Sequence, residues 1–124
     1  MKGKRRIVRL RTTHPTGYAE ITATVYGDWC VHHSFIQGED GSPIVLTAVE
    51  MSVSHVPSGL AVGQVWEQRN GAHLFARWAA EYAGTYLGEA IPDYTHEQVA
   101  AFKAAAVAAG VAPETWASQE VRIG

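Results

Sequence analysis

Hydrophobic and polar residues alternate through the first half of the chain, and alanine-rich stretches with helical spacing fill the second half. Alternation with period two is typical of half-buried strands, whereas apolar residues three and four apart are typical of amphipathic helices. The pattern therefore predicts an α+β fold, in which a four-stranded antiparallel β-meander is followed by two or three helices packed on one face. We expect a single α+β domain over residues 1–124, with strands in about 4–56 and helices in about 70–121.

Four strands are predicted, and turn residues such as glycine and proline separate them. They cover about residues 4–12, 18–26, 29–36 and 44–56. The segment 62–68 is compatible with either a short helix or an extended strand. The apolar residues fix the pairing of the first two strands, because a four-residue loop sets Val8 opposite Ile21 and Leu10 opposite Ala19.

The hairpin between the second and third predicted strands has two possible registers. With Gly27-Asp28 as a two-residue loop, apolar residues face polar ones, as in Val25 opposite Cys30. A three-residue loop that also contains Trp29 sets Val25 against Val31 and keeps one face of the sheet apolar. We therefore predict the three-residue loop.

The second half of the chain predicts three helices. The first begins at Asn70, which we expect to be the N-cap. Its apolar stripe is expected in the core and consists of Leu74, Trp78, Tyr82 and Tyr86. The second helix begins with a capping-box sequence at 95–98 and ends before Gly110. Pro113 opens a last short helix that extends to about Glu120.

Positive charge is concentrated at the start of the chain, although the net charge is −2. Six of the ten lysine and arginine residues lie within the first eleven positions. The rest of the chain carries four basic and all twelve acidic residues, a balance of −8. A basic first segment on an otherwise mildly acidic chain is typical of a protein that binds an acidic partner. A solvated tail without a partner has the same composition.

The first predicted strand gives the leading functional hypothesis. Arg5, Arg9 and Arg11 project from one side of it, and arginines interleaved with aromatic residues can hold phosphates and stack on bases. We expect a non-catalytic binding module that engages nucleic acid or a nucleoprotein assembly. The expected contact residues are Arg5, Arg6, Arg9, Arg11, Tyr18, Tyr26 and His32. A charged edge strand that only prevents strand addition would carry the same arginines.

The alternative hypothesis is a small protein–protein inhibitor or adaptor of the kind that phages and mobile elements use. A strand at the edge of the sheet can pair with a protein target, or with a second copy of the chain to form a homodimer. Neither hypothesis requires a cofactor.

A thiol enzyme is the third hypothesis. If the third and fourth predicted strands pair continuously from Phe35 opposite Val45, Cys30 lies opposite Glu50 on the outer face. His32 is one step along the same face. A thiol beside an imidazole and a carboxylate is the minimum set for nucleophilic catalysis. No helix N-terminus that would lower the pKa of the thiol is available in the sequence.

Metal and nucleotide sites have little support in the sequence. His32, His55 and Glu50 carry metal-binding side chains, but no HxH, HExxH or CxxC spacing is present, and we predict no metal site. The segment 38–41 is acidic, and 59–63 lacks the lysine and hydroxyl of a phosphate-binding loop.

The expected location is the cytoplasm. Cys30 is the only cysteine, so one chain cannot form a disulfide, and a reducing compartment is expected. The basic start of the chain is not followed by an apolar signal segment. No stretch approaches the roughly 18 apolar residues of a membrane span, and we expect no membrane association.

Overall fold

The computed structural model describes residues 2–11, 17–37, 39–40, 42–45, 49–59, 61–88 and 94–117. Within these ranges seven strands precede three helices. The strands are β1 (Lys4–Arg11), β2 (Tyr18–Tyr26), β3 (Trp29–His33), β4 (Phe35–Gln37), β5 (Pro43–Val45), β6 (Met51–His55) and β7 (Ala61–Trp66). The helices are α1 (Arg69–Leu87), α2 (His96–Ala108) and α3 (Glu114–Ala117). The predicted α+β class is confirmed.

The main sheet is antiparallel and has five strands in the order β1-β2-β3-β6-β7. It therefore has one strand more than predicted. The fourth predicted strand is divided between β5 and β6, and the ambiguous segment 62–68 contributes to β7. β4 and β5 form a separate two-stranded hairpin, and β1 and β7 are the edges of the main sheet.

The pairing of β1 with β2 is as predicted. Val8 lies opposite Ile21 and Leu10 opposite Ala19. Val8 and Leu10 are 4% and 1% exposed, so the alternation of apolar and charged residues in β1 reports its buried face correctly. The predicted loop over 13–16 lies outside the described residues.

The turn between β2 and β3 is the two-residue loop, so the predicted three-residue loop was wrong. Val25 pairs with Cys30. Gly27 has a φ of 58°, and Asp28 does not have a positive φ. This is the pattern of a type II′ turn, whose twist suits a hairpin and which favours glycine at its first central position.

The two-residue register is possible because β3 is buried on both faces. On one face, Val31 belongs to a large cluster with Val53 of β6 and Phe75 of α1. On the other face, Cys30 belongs to a second, smaller cluster. The buried residues of this second cluster are Val8, Leu10, Ala23, Val25 and Cys30. Val25 and Cys30 are thus partners in one core, and the prediction failed because it assumed a single buried face.

The pairing between the third and fourth predicted strands changes along their length. Phe35 lies opposite Val45, as predicted. Cys30, however, pairs with Ser54 and not with Glu50, because β5 and β6 are separate strands and the register shifts by four residues between them. The predicted row of Cys30 and Glu50 on one outer face was therefore wrong.

The loop after β6 closes onto the far edge of the sheet. It is a tight loop, since the Gly59 N–H donates to the carbonyl of His55 at 2.8 Å. The Arg11 N–H, at the end of β1, donates to the carbonyl of Gly59 at 2.8 Å, and Arg11 Nε donates to the carbonyl of Ser58 at 3.0 Å. In a flat sheet, Arg11 and His55 would be about 30 Å apart, given the spacing of strands and the rise along them. The sheet is therefore strongly coiled, with the second cluster on its enclosed face.

Helix α1 covers the opposite face of β3 and β6 mainly with small residues. Its buried residues are Ala72, Phe75, Ala76, Ala79, Ala83 and Leu87. The predicted aromatic stripe was only partly right: Leu74 and Tyr82 are 51% and 44% exposed, while Trp78 packs against Phe102 of α2 with ring centroids 5.3 Å apart. The alanines let the helix lie close to the sheet, which turns the larger side chains toward α2 and solvent.

The beginning of α2 confirms the capping box. The Gln98 backbone N–H donates to Thr95 Oγ1 at 3.1 Å, and the Thr95 N–H donates to Gln98 Oε1 at 2.7 Å. By contrast, α1 begins at Arg69 after Gln68, which makes no side-chain capping bond, so the predicted Asn70 cap was wrong. The expected extension of the last helix to Glu120 lies outside the described residues.

The closure of the sheet can be tested at Gly59. Its φ is 72°, and a Cβ there would lie 3.1 Å from the Arg11 nitrogen. We expect Gly59→Ala to lower the free energy of unfolding by at least about 2 kcal/mol in urea denaturation, because left-handed strain and the contact with β1 add. The control is Gly17→Ala, where φ is 79° and no atom lies within 4 Å, and we expect a loss of about 1 kcal/mol. Equal losses would contradict the closure.

Candidate nucleic-acid interface

The helix-side face of β1 and β2 extends beyond the edge of α1. Thr24 pairs with Val31 of the large cluster and with Arg5 of β1, which identifies this face. Alternate residues of both strands continue along it. We call them the open strip, made of four cross-strand pairs: Arg5 with Thr24, Ile7 with Thr22, Arg9 with Glu20, and Arg11 with Tyr18. All are exposed except Thr24, which is half-buried.

Arginine and aromatic groups are layered on the open strip. The Arg9 guanidinium lies 4.4 Å from the ring centroid of Tyr18, and that of Arg11 lies 5.9 Å from it. Arg11 is also held by the carbonyl of Ser58. Ile7, in the middle of β1, is 69% exposed. The strip therefore combines three cations with one carboxylate, that of Glu20 opposite Arg9, and with an apolar residue and a tyrosine. Arg11 has a structural role as well.

The open strip brings together only part of the predicted contact set. Arg5, Arg9, Arg11 and Tyr18 share it. Arg6 lies opposite Ala23 and therefore points to the other face of the sheet.

Two further predicted residues are buried. Tyr26 is on the same face as the open strip but is only 3% exposed, because it lies beneath α1. His32 is 5% exposed and lies on the enclosed face with Cys30. The expectation that Tyr26 and His32 share an exposed face was wrong, because the two-residue hairpin places them on opposite faces of the sheet.

Helix α1 adds a basic group beside the open strip that the sequence reasoning missed. Tyr26 Oη lies 2.7 Å from His73 Nδ1, and the Arg77 guanidinium lies 5.4 Å from the centroid of the Tyr26 ring. Arg69 and Arg77 are one helical turn before and after His73. The four-residue spacing of these three residues was the available signal, but the sequence alone does not show which face of α1 borders β2.

The charges of this group act on His73. Burial lowers the pKa of His73, and the nearby positive charges of Arg69 and Arg77 lower the pKa further. Both arginines are exposed, whereas His73 is half-buried. The imidazole is therefore held neutral at pH 7 between two cations.

The enclosed face carries a row of buried polar groups that are hydrogen-bonded to one another or to the backbone. His32 Nδ1 donates to the carbonyl of His33 at 2.9 Å, and the hydroxyl of Ser54 donates to His32 Nε2 at 2.8 Å. Burial lowers the pKa of His32, so the ring stays neutral. The hydroxyls of Ser34 and Ser52 are hydrogen-bonded to each other at 2.8 Å. These bonds satisfy polar groups inside the coiled sheet.

Cys30 is fully buried, and burial raises the pKa of its thiol to about 12. With Ser54 and not Glu50 as its cross-strand partner, the predicted group of thiol, imidazole and carboxylate is not assembled as expected. The geometry gives no support to a thiol nucleophile.

The described ranges contain neither a metal-binding cluster nor a membrane-spanning helix. No three His, Cys, Asp or Glu side chains in that part of the chain converge as they would around a metal ion. No described helix is both long and apolar enough to cross a membrane.

Comparison with known proteins found no matching family model, curated protein or solved structure. Functional inference therefore depends on the geometry of the site.

The alkylation rate of the Cys30 thiol tests the thiol-enzyme hypothesis directly. A pKa raised from 9.0 to about 12 makes the thiolate fraction near neutral pH roughly a thousandfold smaller than that of an ordinary thiol. We expect iodoacetamide to modify Cys30 of the folded protein far more slowly than free cysteine, and at the ordinary rate in urea. Modification of the folded protein faster than free cysteine would revive the thiol-enzyme hypothesis.

Proposed function

We propose that the protein is a non-catalytic module that binds single-stranded nucleic acid, alone or within a nucleoprotein assembly, through the open strip. The observation that carries this proposal is that Arg5, Arg9 and Arg11 project from one uncovered face. Guanidinium groups bind phosphate oxygens with two parallel hydrogen bonds, and neutralised phosphates release counterions on binding.

The distribution of charge supports an anionic partner at this face. Same-face residues of β1 are about 6.5 to 7 Å apart, so the three arginines extend over about 20 Å. The chain beyond residue 11 has a balance of −8, which repels a polyanion elsewhere. A nucleic acid is therefore directed to the basic edge of the molecule.

The exposed apolar and aromatic groups favour a single strand over a duplex. Ile7 and Tyr18 are 69% and 37% exposed between the arginines. Bases of a single strand stack on aromatic rings and on guanidinium planes, whereas the faces of paired bases are hidden in a duplex. A cytoplasmic location, in which the lone Cys30 stays reduced, is consistent with this proposal.

Paired variants of β1 test this function. We expect Arg5→Gln/Arg9→Gln to weaken binding of a fluorescent oligothymidylate at least tenfold at low salt, because two phosphate contacts are lost. The slope of log affinity against log salt should shrink by about 1.4, at about 0.7 per phosphate on a single strand. Fluorescence anisotropy at several salt concentrations measures both quantities.

The matched control is Lys4→Gln/Arg6→Gln, which removes the same charge from the same strand but from the other face. We expect this control to retain most of the affinity and the slope. A wild-type protein that does not bind the oligonucleotide, or equal losses in the two variants, would overturn the proposal.

A protein target bound at the edge of β1 is the second candidate. Alternate residues of a strand direct their N–H groups to the same edge. Because the Arg11 N–H donates away from β2 to Gly59, the N–H groups of Arg5, Ile7 and Arg9 also point away from β2. A second copy of the chain would bring arginine opposite arginine, so an acidic partner strand fits better than a homodimer.

Two variants separate this candidate from nucleic-acid binding. Ile7→Pro removes one outward N–H donor of β1, whereas Arg5→Gln/Arg9→Gln removes only charge. A salt-tolerant complex that survives Arg5→Gln/Arg9→Gln but is lost in Ile7→Pro would favour the protein target.

A further inference from the structure

His73 has one ring nitrogen in a fixed hydrogen bond and the other directed away from it. Nδ1 lies 2.7 Å from Tyr26 Oη. The phenol is buried, and Nδ1 is the partner that the described part of the chain offers it. The phenol proton therefore points at Nδ1, because a buried hydroxyl proton without an acceptor is costly. A neutral imidazole that accepts at Nδ1 carries its proton on Nε2.

His73 lies between two arginines along α1. Arg69 and Arg77 each stand one turn from His73, and both are close enough to act on its charge. The first turn of α1 contains no acidic residue. Glu81 follows one turn after Arg77, but the Arg77 guanidinium lies over the Tyr26 ring, on the side toward the sheet. Three donor groups with no acidic residue among them are thus collected on one flank of the helix.

This helical group continues the open strip. Tyr26 is two residues after Thr24 on the same face of β2, and Thr24 lies opposite Arg5. A Cβ on Gly3 would come within 2.8 Å of the Tyr26 ring, so the start of β1 runs directly beside it. The path from Arg5 to Arg77 therefore runs over Thr24 and the tyrosine ring, beside Gly3.

We propose that Arg69, His73 and Arg77 form a phosphate-binding subsite, in which Tyr26 fixes the imidazole so that its Nε2–H faces the ligand. Two guanidinium groups and one N–H donor suit the several oxygens of a phosphate group. This inference rests on the proposed function, and it assigns the subsite to a phosphodiester of the same single strand that lies on the open strip. Bound nucleic acid then extends from the sheet onto α1.

Imidazole NMR tests the subsite with two probes, inorganic phosphate and the oligothymidylate. In the free protein, ¹⁵N shifts should show His73 unprotonated at Nδ1 and protonated at Nε2. Each probe should shift the Nε2 resonance in a saturable manner, and Arg69→Gln/Arg77→Gln should abolish the shift. Sulfate at equal ionic strength tests for oxyanion binding, and chloride serves as the control for salt.

Affinity measurements separate this inference from the proposed function. We expect Arg69→Gln/Arg77→Gln to weaken oligothymidylate binding at least fivefold and to reduce the salt slope by about 1.4, as for two lost phosphate contacts. If the oligonucleotide binds and this variant behaves like Lys4→Gln/Arg6→Gln, the subsite is refuted while the proposed function stands. If inorganic phosphate shifts His73 but no oligonucleotide binds, the subsite is supported as a site for free phosphate, and the proposed function fails. If neither probe shifts His73, the subsite is refuted.

Discussion

The hydrogen bond from the Arg11 N–H to the carbonyl of Gly59 is the constraint on which the architecture depends. It joins the last residue of an edge strand to a tight loop that follows β6, three strands away in the sheet. A flat sheet cannot make this contact, and the sheet must coil to form it. Coiling encloses the second cluster around Cys30 and gives β3 two buried faces. The same contact fixes the backbone of β1 where its arginines project.

Closure on one face and a helix on the other determine what remains uncovered. Helix α1 lies over β3 and β6 and reaches only the Tyr26 end of β2, so the open strip stays exposed. Arg9 and Arg11 lie there because the alternate positions Val8 and Leu10 are buried on the enclosed face. Lys4 and Arg6, at the start of β1, stay exposed on the other face. This arrangement is the support for the proposed function. An uncovered face bearing three arginines against one carboxylate, with an isoleucine and a tyrosine, suits a flexible polyanion with exposed bases.

Local patterns in the sequence predicted local structure well. The alternation of β1 and β2 fixed their register, and the Thr95 capping box located the start of α2. Patterns that depend on the surroundings of an element were less informative. The register at Gly27-Asp28 required knowledge that Cys30 faces a second core, and the exposure of Leu74 required knowledge of where the sheet meets α1. Tertiary packing decides both.

The candidate site shows the same division. Arg5, Arg9 and Arg11 could be assigned to one face from their spacing alone, since side chains alternate along a strand. The contribution of α1 could not, because the contact of Tyr26 with His73 joins residues 47 positions apart. His32 was assigned to an exposed face because the prediction assumed that the sheet has a single buried face, the same assumption that gave the wrong hairpin register. Long-range contacts are therefore the part of this site that needed the structure.

Amide hydrogen exchange in β1 tests the central constraint most directly. The N–H groups of Ile7, Arg9 and Arg11 all point to the outer edge of an edge strand, where amides normally exchange fast. The closure predicts that the Arg11 amide exchanges at least about tenfold more slowly than those of Ile7 and Arg9, because Gly59 holds it. An Arg11 amide that exchanges as fast as the other two would contradict the coiled sheet and the surface derived from it.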